Sequence, residues 1–464
     1  METINERSVV VVGGGIAGLA AAWELSGGAR PDPAAPRVTV LESSSRLGGA
    51  LHSVPFDDTV VDVGPDGFLG RRPEATELCR EVGLGDQLVA IGASGAWVYA
   101  RKRLRPLPAG LMLGVPTRWW PVARSGVLGA MGSARLLRDA LLPRPDRRGP
   151  LGDRALGPLV ARRQGRRVVE ALVDPLIGGI HAGSVADMST AAAMPQLLTV
   201  PPAFWALQGG MGTLIERLAQ GLAARGVQIR TQVTAGGLAR DLGERAWTVQ
   251  TSDGPVDADG VVLALPSGPA GELLAPHDAN AAALERTIDY GSVAVITLSY
   301  PDGAVSLPRG TGFLVPRNTR SPIEGGGDGD VLVTACTFLD VKWPHLQRPG
   351  RLLLRASVGR FGDRRCEQMG DRELVARVAE ELAALVGITG APTASMVTRW
   401  PEAFPQYRVG HLLRVSGIEA SVKRLPALAV AGAPYRGVGI PACIASGREA
   451  ARSVLESLEE PPAS

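Results

Sequence analysis

The chain has 464 residues, of which 45% are hydrophobic and 20% charged, with a formal net charge of +3. That balance excludes a disordered chain, and the small net charge excludes a global attraction to nucleic acid. Four scattered cysteines and five histidines, with no C-x-x-C or H-x-x-x-H pair, argue against a metal centre and for a reduced interior.

In chain order, Ser8–Val12 predicts a buried strand and Ile16–Leu25 a helix, joined by a glycine turn. SGGARPDPAAP reads as an exposed loop and Arg37–Glu42 as a second strand, which completes a βαβ opening. The apolar start is too short to span a bilayer, and no later stretch reaches about 18 unbroken apolar residues, so no transmembrane helix is expected. Glu2 and the glycines also disqualify that start as a signal peptide, which favours a cytoplasmic protein. Pro73–Val82 predicts a helix, and the proline-broken stretch 107–145 reads as short helices, with helical character continuing over Leu156–Leu172. From Arg101 to Arg148 eleven Arg or Lys stand against Asp139 and Asp146, a local surplus suited to anionic lipid or an acidic substrate. Within it, Trp119-Trp120 suits either a membrane surface, a lip where substrate enters, or plain core.

GMGTLIERLAQGLAARG predicts a helix with Leu214, Ile215, Leu218 and Leu222 on one face. VQIRTQVTAGG, AWTVQTSDG and VDADGVVLALP read as strands, and so do SVAVITLSY, VLVTACTF and RLLLRASVG, with the loop IEGGGDGD among them. Leu374–Val386 and Ala445–Leu458 are predicted helices, and the tail EEPPAS is expected to fray. A chain this long exceeds one ordinary core, so two intertwined domains are expected.

Gly13, Gly15 and Gly18 form G-x-G-x-x-G between a strand and a helix. The first glycine permits a tight turn, the second a close approach to pyrophosphate, and the third close helix–strand packing. Glu42 ends the next strand, where a carboxylate accepts hydrogen bonds from ribose hydroxyls. Gly14, Ile16, Ala17 and Ser43 complete the expected contacts of this loop. Immediately downstream, ESSSRLGGALHS adds Arg46, Gly49 and Ala50, which suits an extended dinucleotide rather than NAD.

This segment resembles the E-x-x-x-R-x-G-G signature of the flavin amine oxidase superfamily, and AVAGAPYRGVGIPACIASGREAA, roughly four hundred residues later, resembles its second FAD motif. By that resemblance the backbone of Val438, Gly439 and Ile440 meets the flavin side of a non-covalent FAD. DVGPDGFLGRR is similar to the D-x-G-P segment of the porphyrinogen oxidases, which implies that Gly64, Pro65, Asp66 and Gly67 line the flavin. DPLIGGIHAGSVADMSTAAAMPQL, LQGGMGTLIERLA and TRWPEAFPQYRVGH resemble three further segments of that family, in the same order. They match Val233 to an adenine neighbour and Trp400 to a flavin contact. His181 and Ser184 depart from the family pattern, which has Tyr or Phe and Asp or Asn there. His181 is read as a pocket residue, and His411 as packing.

Amine oxidases of the superfamily commonly carry a lysine near the flavin where this chain has Val295, and two aromatic rings where it offers only Tyr435. RLRPLPAGLMLGVPTRWWPVARSGVL resembles instead the Gram-positive, actinobacterial group of coproporphyrinogen III oxidases. The resemblance implies an α/β, two-domain fold: a Rossmann-like FAD-binding domain (1–75, 205–285, 415–464), a mixed-sheet substrate domain (76–95, 180–204, 286–414) and a helical insertion (96–179). It implies oxidation of a porphyrinogen with dioxygen as acceptor, in haem biosynthesis, with protoporphyrinogen IX as the alternative substrate. The arginine surplus favours the tetracarboxylate, and Arg71 is nominated for one propionate. No side chain is identified as catalytic and no metal is expected. The partners expected are porphyrinogen and O2, with a peripheral membrane surface and other haem-pathway enzymes left open.

Overall fold

The computed structural model describes residues 7–112, 114–141, 153–192, 204–240, 246–323 and 329–459. The end of the family-like segment at 193–197, the loop at 324–328, Leu113, Arg144, Arg147, Arg148 and the tail from Glu460 lie outside the described residues.

The valines of Ser8–Val12 are buried on both faces, as expected of a strand inside a parallel sheet. That strand pairs in parallel with Arg37–Glu42 on one side and Gly260–Leu263 on the other. Gln228–Thr231 and Leu428–Val430 complete five parallel strands, drawn from three distant parts of the chain. Helix Ile16–Leu25 is buried almost all round because helix Ile440–Glu459 lies against it. A Cβ on Gly447 would overlap Ala17 O, so the two helices touch backbone to backbone. Arg448 ties this contact to helix Pro73–Glu81 through Glu81 at 2.6 Å, and Trp23 Nε1 donates to the same carboxylate. The predicted helix at 212–224 buries Leu214, Ile215, Leu218 and Leu222, the expected face.

A second, seven-stranded sheet runs Ala394–Pro405, Tyr290–Pro301, Arg351–Val358, Val333–Phe338, Gly312–Leu314, Trp97–Ala100 and Arg103–Pro106. Ala294, Ile296 and Leu298, with Leu354, Ala356 and Val358, pack beneath helix Asp371–Val386 through Leu374, Val378 and Leu382. Strand alternation therefore turns Val293, Val295, Arg355 and Ser357 to the opposite face.

The stretch 96–179, expected to be helical, begins differently. Residues 97–106 form a hairpin on the edge of the seven-stranded sheet, and Leu111–Met112 pairs with Val115–Pro116. Strands this short carry too little alternation to register as strands in a sequence. From Trp119 onward helices take over, at Trp119–Ser125, Gly129–Leu141, Leu156–Gln164 and Asp174–His181.

Candidate active site

The glycine turn forms one wall of the site. Gly13 adopts φ 110°, and a Cβ there would overlap Ala264 O, while one on Gly18 would overlap Gly13 O. Gly15 is different, with no atom within 4 Å of the place a Cβ would occupy. It is also the N-cap of helix Ile16–Leu25, and no side chain caps that end. Open space in front of uncapped helix amides suits a pyrophosphate.

Glu42 closes the turn from the other side. Its Oε2 accepts from Gly14 N at 2.8 Å and its Oε1 from Ser44 N at 2.8 Å. Each carboxylate oxygen keeps a lone pair for a ribose hydroxyl. Val233 N donates to Glu42 O at 2.9 Å, so Val233 stands beside Glu42. Gly15 and Gly48 form a parallel bridge, and Gly49 and Ala50 are exposed beside it, as is Ser43. Ile16, Ala17 and Gly18 are buried, so only their backbone can serve a ligand.

Arg46 leads onward to Trp400, its guanidinium 5.9 Å from the indole ring. Trp400 Nε1 donates to Val63 O at 2.8 Å, and a Cβ on Gly64 would lie 3.6 Å from the same ring. Residues 46, 64 and 400 thus lie together. Pro65 and Gly67 are partly exposed next to them, but the Asp66 carboxylate points away. It accepts from Lys342 Nζ at 2.7 and 2.9 Å and from Trp343 Nε1 at 3.0 Å, with Arg355 at 3.9 Å. Burial pushes this carboxyl up, yet the cations Lys342 and Arg355 hold it well below the usual carboxylate range. Asp66 therefore anchors the segment, and its backbone is what can face a ligand.

The second motif enters beneath the first helix. Gly432 adopts φ 119°, and its N–H donates to Ser446 Oγ at 3.0 Å. Val438 and Gly439 are at least partly exposed, whereas Ile440 packs into the core with Ile16 and Ala17. Tyr407 and His411 brace this segment. The Tyr407 hydroxyl donates to Ala433 O at 2.5 Å, and His411 Nε2 lies 2.7 Å from Tyr435 O. Their rings stack at 3.9 Å, and His181 packs against Tyr407 at 5.8 Å. His181 is only 2% exposed, at the end of helix Asp174–His181. Burial lowers His411 to about 4, so it is neutral at physiological pH. The Tyr435 hydroxyl is spent on Glu285 at 2.8 Å, inside a core. Arg71 is partly exposed, four residues beyond Gly67.

Sequence reasoning missed the opposite wall. Thr398, Val295, Ser357, Ala335 and Leu314 pair successively across five strands and lie on the face turned from helix Asp371–Val386. All but Val295 are partly exposed, and Ser357, Ala335 and Leu314 are so on interior strands, so this row borders open space. Helix Asp174–His181 overlooks it, since a Cβ on Gly179 would sit 3.4 Å from Leu314. Val293, one register step away, pairs with Trp400, which joins the row to the flavin-type segment. No motif marks these residues; only their period-2 alternation could have signalled a two-faced sheet. A separate groove of about 720 Å³, lined by Asp371, Val375 and Val397, opens on the other side of the sheet, away from this site.

The family profile described as flavin containing amine oxidoreductase matches residues 16–455. A curated relative from Bacillus subtilis (strain 168), named coproporphyrinogen III oxidase, is 32% identical, with 98% of this chain and 99% of the relative covered. One of the same name from Mycobacterium leprae is 34% identical, over 96% and 98%. A solved candidate protoporphyrinogen oxidase from Exiguobacterium sp. 255-15 superposes with a TM-score of 0.85 at 30% identity, covering 98% of this chain and 100% of that one.

Proposed function

The chain belongs to the flavin-containing amine oxidoreductase family, and from that premise we propose that it oxidises coproporphyrinogen III to coproporphyrin III in haem biosynthesis. It does so with non-covalent FAD, dioxygen as acceptor and hydrogen peroxide as by-product. Full-length relatives bearing that substrate in their names support the reading. The structural observation that carries it is the meeting of the glycine groove with the row of small side chains at Trp400. When bound, FAD supplies hydride acceptance and re-oxidation by dioxygen.

The chain's own residues bind, orient and exclude water. Gly13–Gly18 and the uncapped helix start hold pyrophosphate, Glu42 and Ser43 the ribose, and Val233 borders the adenine. Arg46, Gly49, Ala50, the backbone of Gly64–Gly67, Trp400 and the backbone of Val438–Ile440 border the flavin end. Leu314, Ala335, Ser357, Val295 and Thr398 give the macrocycle a floor without charge. That floor carries only the hydroxyls of Ser357 and Thr398, so a pyrrole N–H proton leaves to solvent rather than to a strong base. Arg71 takes a propionate, and His181 shapes the pocket wall through Tyr407. We keep the FAD-binding, substrate and helical divisions as part of this proposal and move the 97–106 hairpin to the substrate sheet.

No described helix is long and apolar enough to cross a membrane. Trp119 and Trp120 are 40% and 48% exposed, with Arg124 over the Trp120 ring, and we assign this face to peripheral contact with anionic lipid. The substrate reading is tested by initial rates of porphyrin fluorescence in air, using flavin-loaded protein. Coproporphyrinogen III is expected to react faster than protoporphyrinogen IX. The reverse order moves the proposal to the dicarboxylate, the substrate in the name of a 29% identical Bos taurus relative. Turnover of neither overturns it.

A further inference from the structure

Arg317 and Arg360 stand where two strands of the floor run out. Arg317 lies three residues past Leu314, and Arg360 two past the end of Arg351–Val358. These strands run the same way, so both arginines leave the sheet at one end. Trp400 is at that end too, because Val293 pairs with it and a Cβ on Gly359 would lie 3.2 Å from Val293 Cα. Two strand spacings, about 10 Å, separate the Arg360 and Trp400 strands.

The two guanidiniums are short of acceptors. Arg317 Nε reaches Asp174 Oδ2 at a long 3.4 Å, and its Nη2 donates to Gly183 O at 3.2 Å. Asp174 also accepts from Val185 N at 3.1 Å. Asp363, the other carboxylate near Arg360, is held at both oxygens by Arg365, at 2.9 and 2.6 Å. Among the described residues no group accepts a hydrogen bond from the Arg360 guanidinium. Burial and then the charge of Arg317 pull Arg360 down to about 10, which leaves it a cation at neutral pH, crowded by a second one. A partly buried guanidinium with no protein acceptor, beside a like charge, is stabilised by an incoming anion.

We propose that Arg317 and Arg360 form a carboxylate-binding site at the rim of the floor, where Arg360 takes a propionate of the macrocycle. This rests on the porphyrinogen reading and adds a second anchor to Arg71. A planar guanidinium fork matches a carboxylate at two points, and a lysine matches it at one.

The test compares wild type with Arg360→Gln and Arg360→Lys, all flavin-loaded, the flavin spectrum serving as the check that each variant folds. Binding of coproporphyrin III is followed by fluorescence quenching, and turnover is measured on coproporphyrinogen III and on its tetramethyl ester. Arg360→Gln is expected to weaken binding of the free acid roughly 10- to 100-fold. KM for the free acid rises correspondingly, kcat stays within about 2-fold, and the ester is unaffected. Arg360→Lys falls between the two. If Arg360→Gln binds the acid as wild type does, or loses acid and ester alike, the site is overturned while the porphyrinogen reading stands. A wild type that oxidises no porphyrinogen overturns that reading, and the site with it.

Discussion

The two walls of the site are built from different materials. The dinucleotide wall is backbone: the Gly13–Gly18 turn, helix amides, and a carboxylate already bonded to Gly14 and Ser44. The rest of the site is side chains brought together from far apart, such as Asp66 with Lys342, Arg317 with Asp174, and Trp400 with the Val63 carbonyl. A backbone site constrains which residues are sterically possible and so leaves a fingerprint in a short window. A side-chain site constrains only chemistry at points scattered along the chain.

The sharpest way to separate the two is to add a methyl group to the backbone wall. Gly18→Ala is expected to cost more than about 4 kcal/mol and to abolish flavin retention, because a Cβ there overlaps Gly13 O and neither backbone can yield. Gly15→Ala is its control. Gly15 has open space around it and an ordinary φ of −70°, so the variant should unfold within about 1 kcal/mol of wild type yet hold flavin weakly. Denaturant unfolding and flavin absorbance measure both. Equal damage from the two substitutions would mean that the turn is only a packing device.

Among the side-chain pairs the corresponding break is Asp66→Asn. It removes the charge that Lys342 and Arg355 face, and cutting one member from a mostly buried pair costs about 3 kcal/mol. The amide still accepts from Trp343, so flavin retention should suffer less than stability. Urea midpoints for wild type and variant at pH 7 decide it, and an unchanged midpoint would show that Lys342 is satisfied by solvent.

This contrast also explains what could be read in the sequence. Ser8–Val12, Ile16–Leu25 and Arg37–Glu42 have the expected boundaries because buried valines and glycines specify them locally. Of the floor, SVAVITLSY, VLVTACTF and RLLLRASVG read as strands and are strands, but their union into one face with two further strands was illegible. Its outermost strand, Ala394–Pro405, contains Pro401 and Pro405, which argue against a strand in a sequence. The structure tolerates them because that strand is the sheet edge, and a bulge with Glu402 at φ 45° interrupts the pairing before it resumes at Phe404. Likewise the hairpin at 97–106 and the pair around Gly114 were hidden in a stretch read as helices. Lys342, Arg355 and Arg360 carried no signal at all, since nothing in a single sequence pairs residue 66 with residue 342.

A smaller effect tests the boundary between the walls, where Asp62 and Asp66 share one segment but titrate in opposite directions. Asp66 is held low by cations, so its contribution is present above pH ~4 and fades as pH falls below that. Asp62 is pushed up to about 6, chiefly by burial, against the hydrogen bonds from Ser53 at 2.5 Å and Met211 N at 2.8 Å. Its folded pKa exceeds its unfolded value, so the folded protein binds the proton more tightly. The resulting stability is fully present below pH ~4 and is lost as pH rises through about 6, an effect of ~2–3 kcal/mol. Asp62→Asn keeps an oxygen to accept from Ser53 and Met211 but cannot ionise. Relative to wild type, the variant should therefore gain stability between pH 4 and 7 and run parallel above that. Unfolding free energies across that range would show a difference that does not change with pH if Asp62 ionises as freely in the fold as outside it.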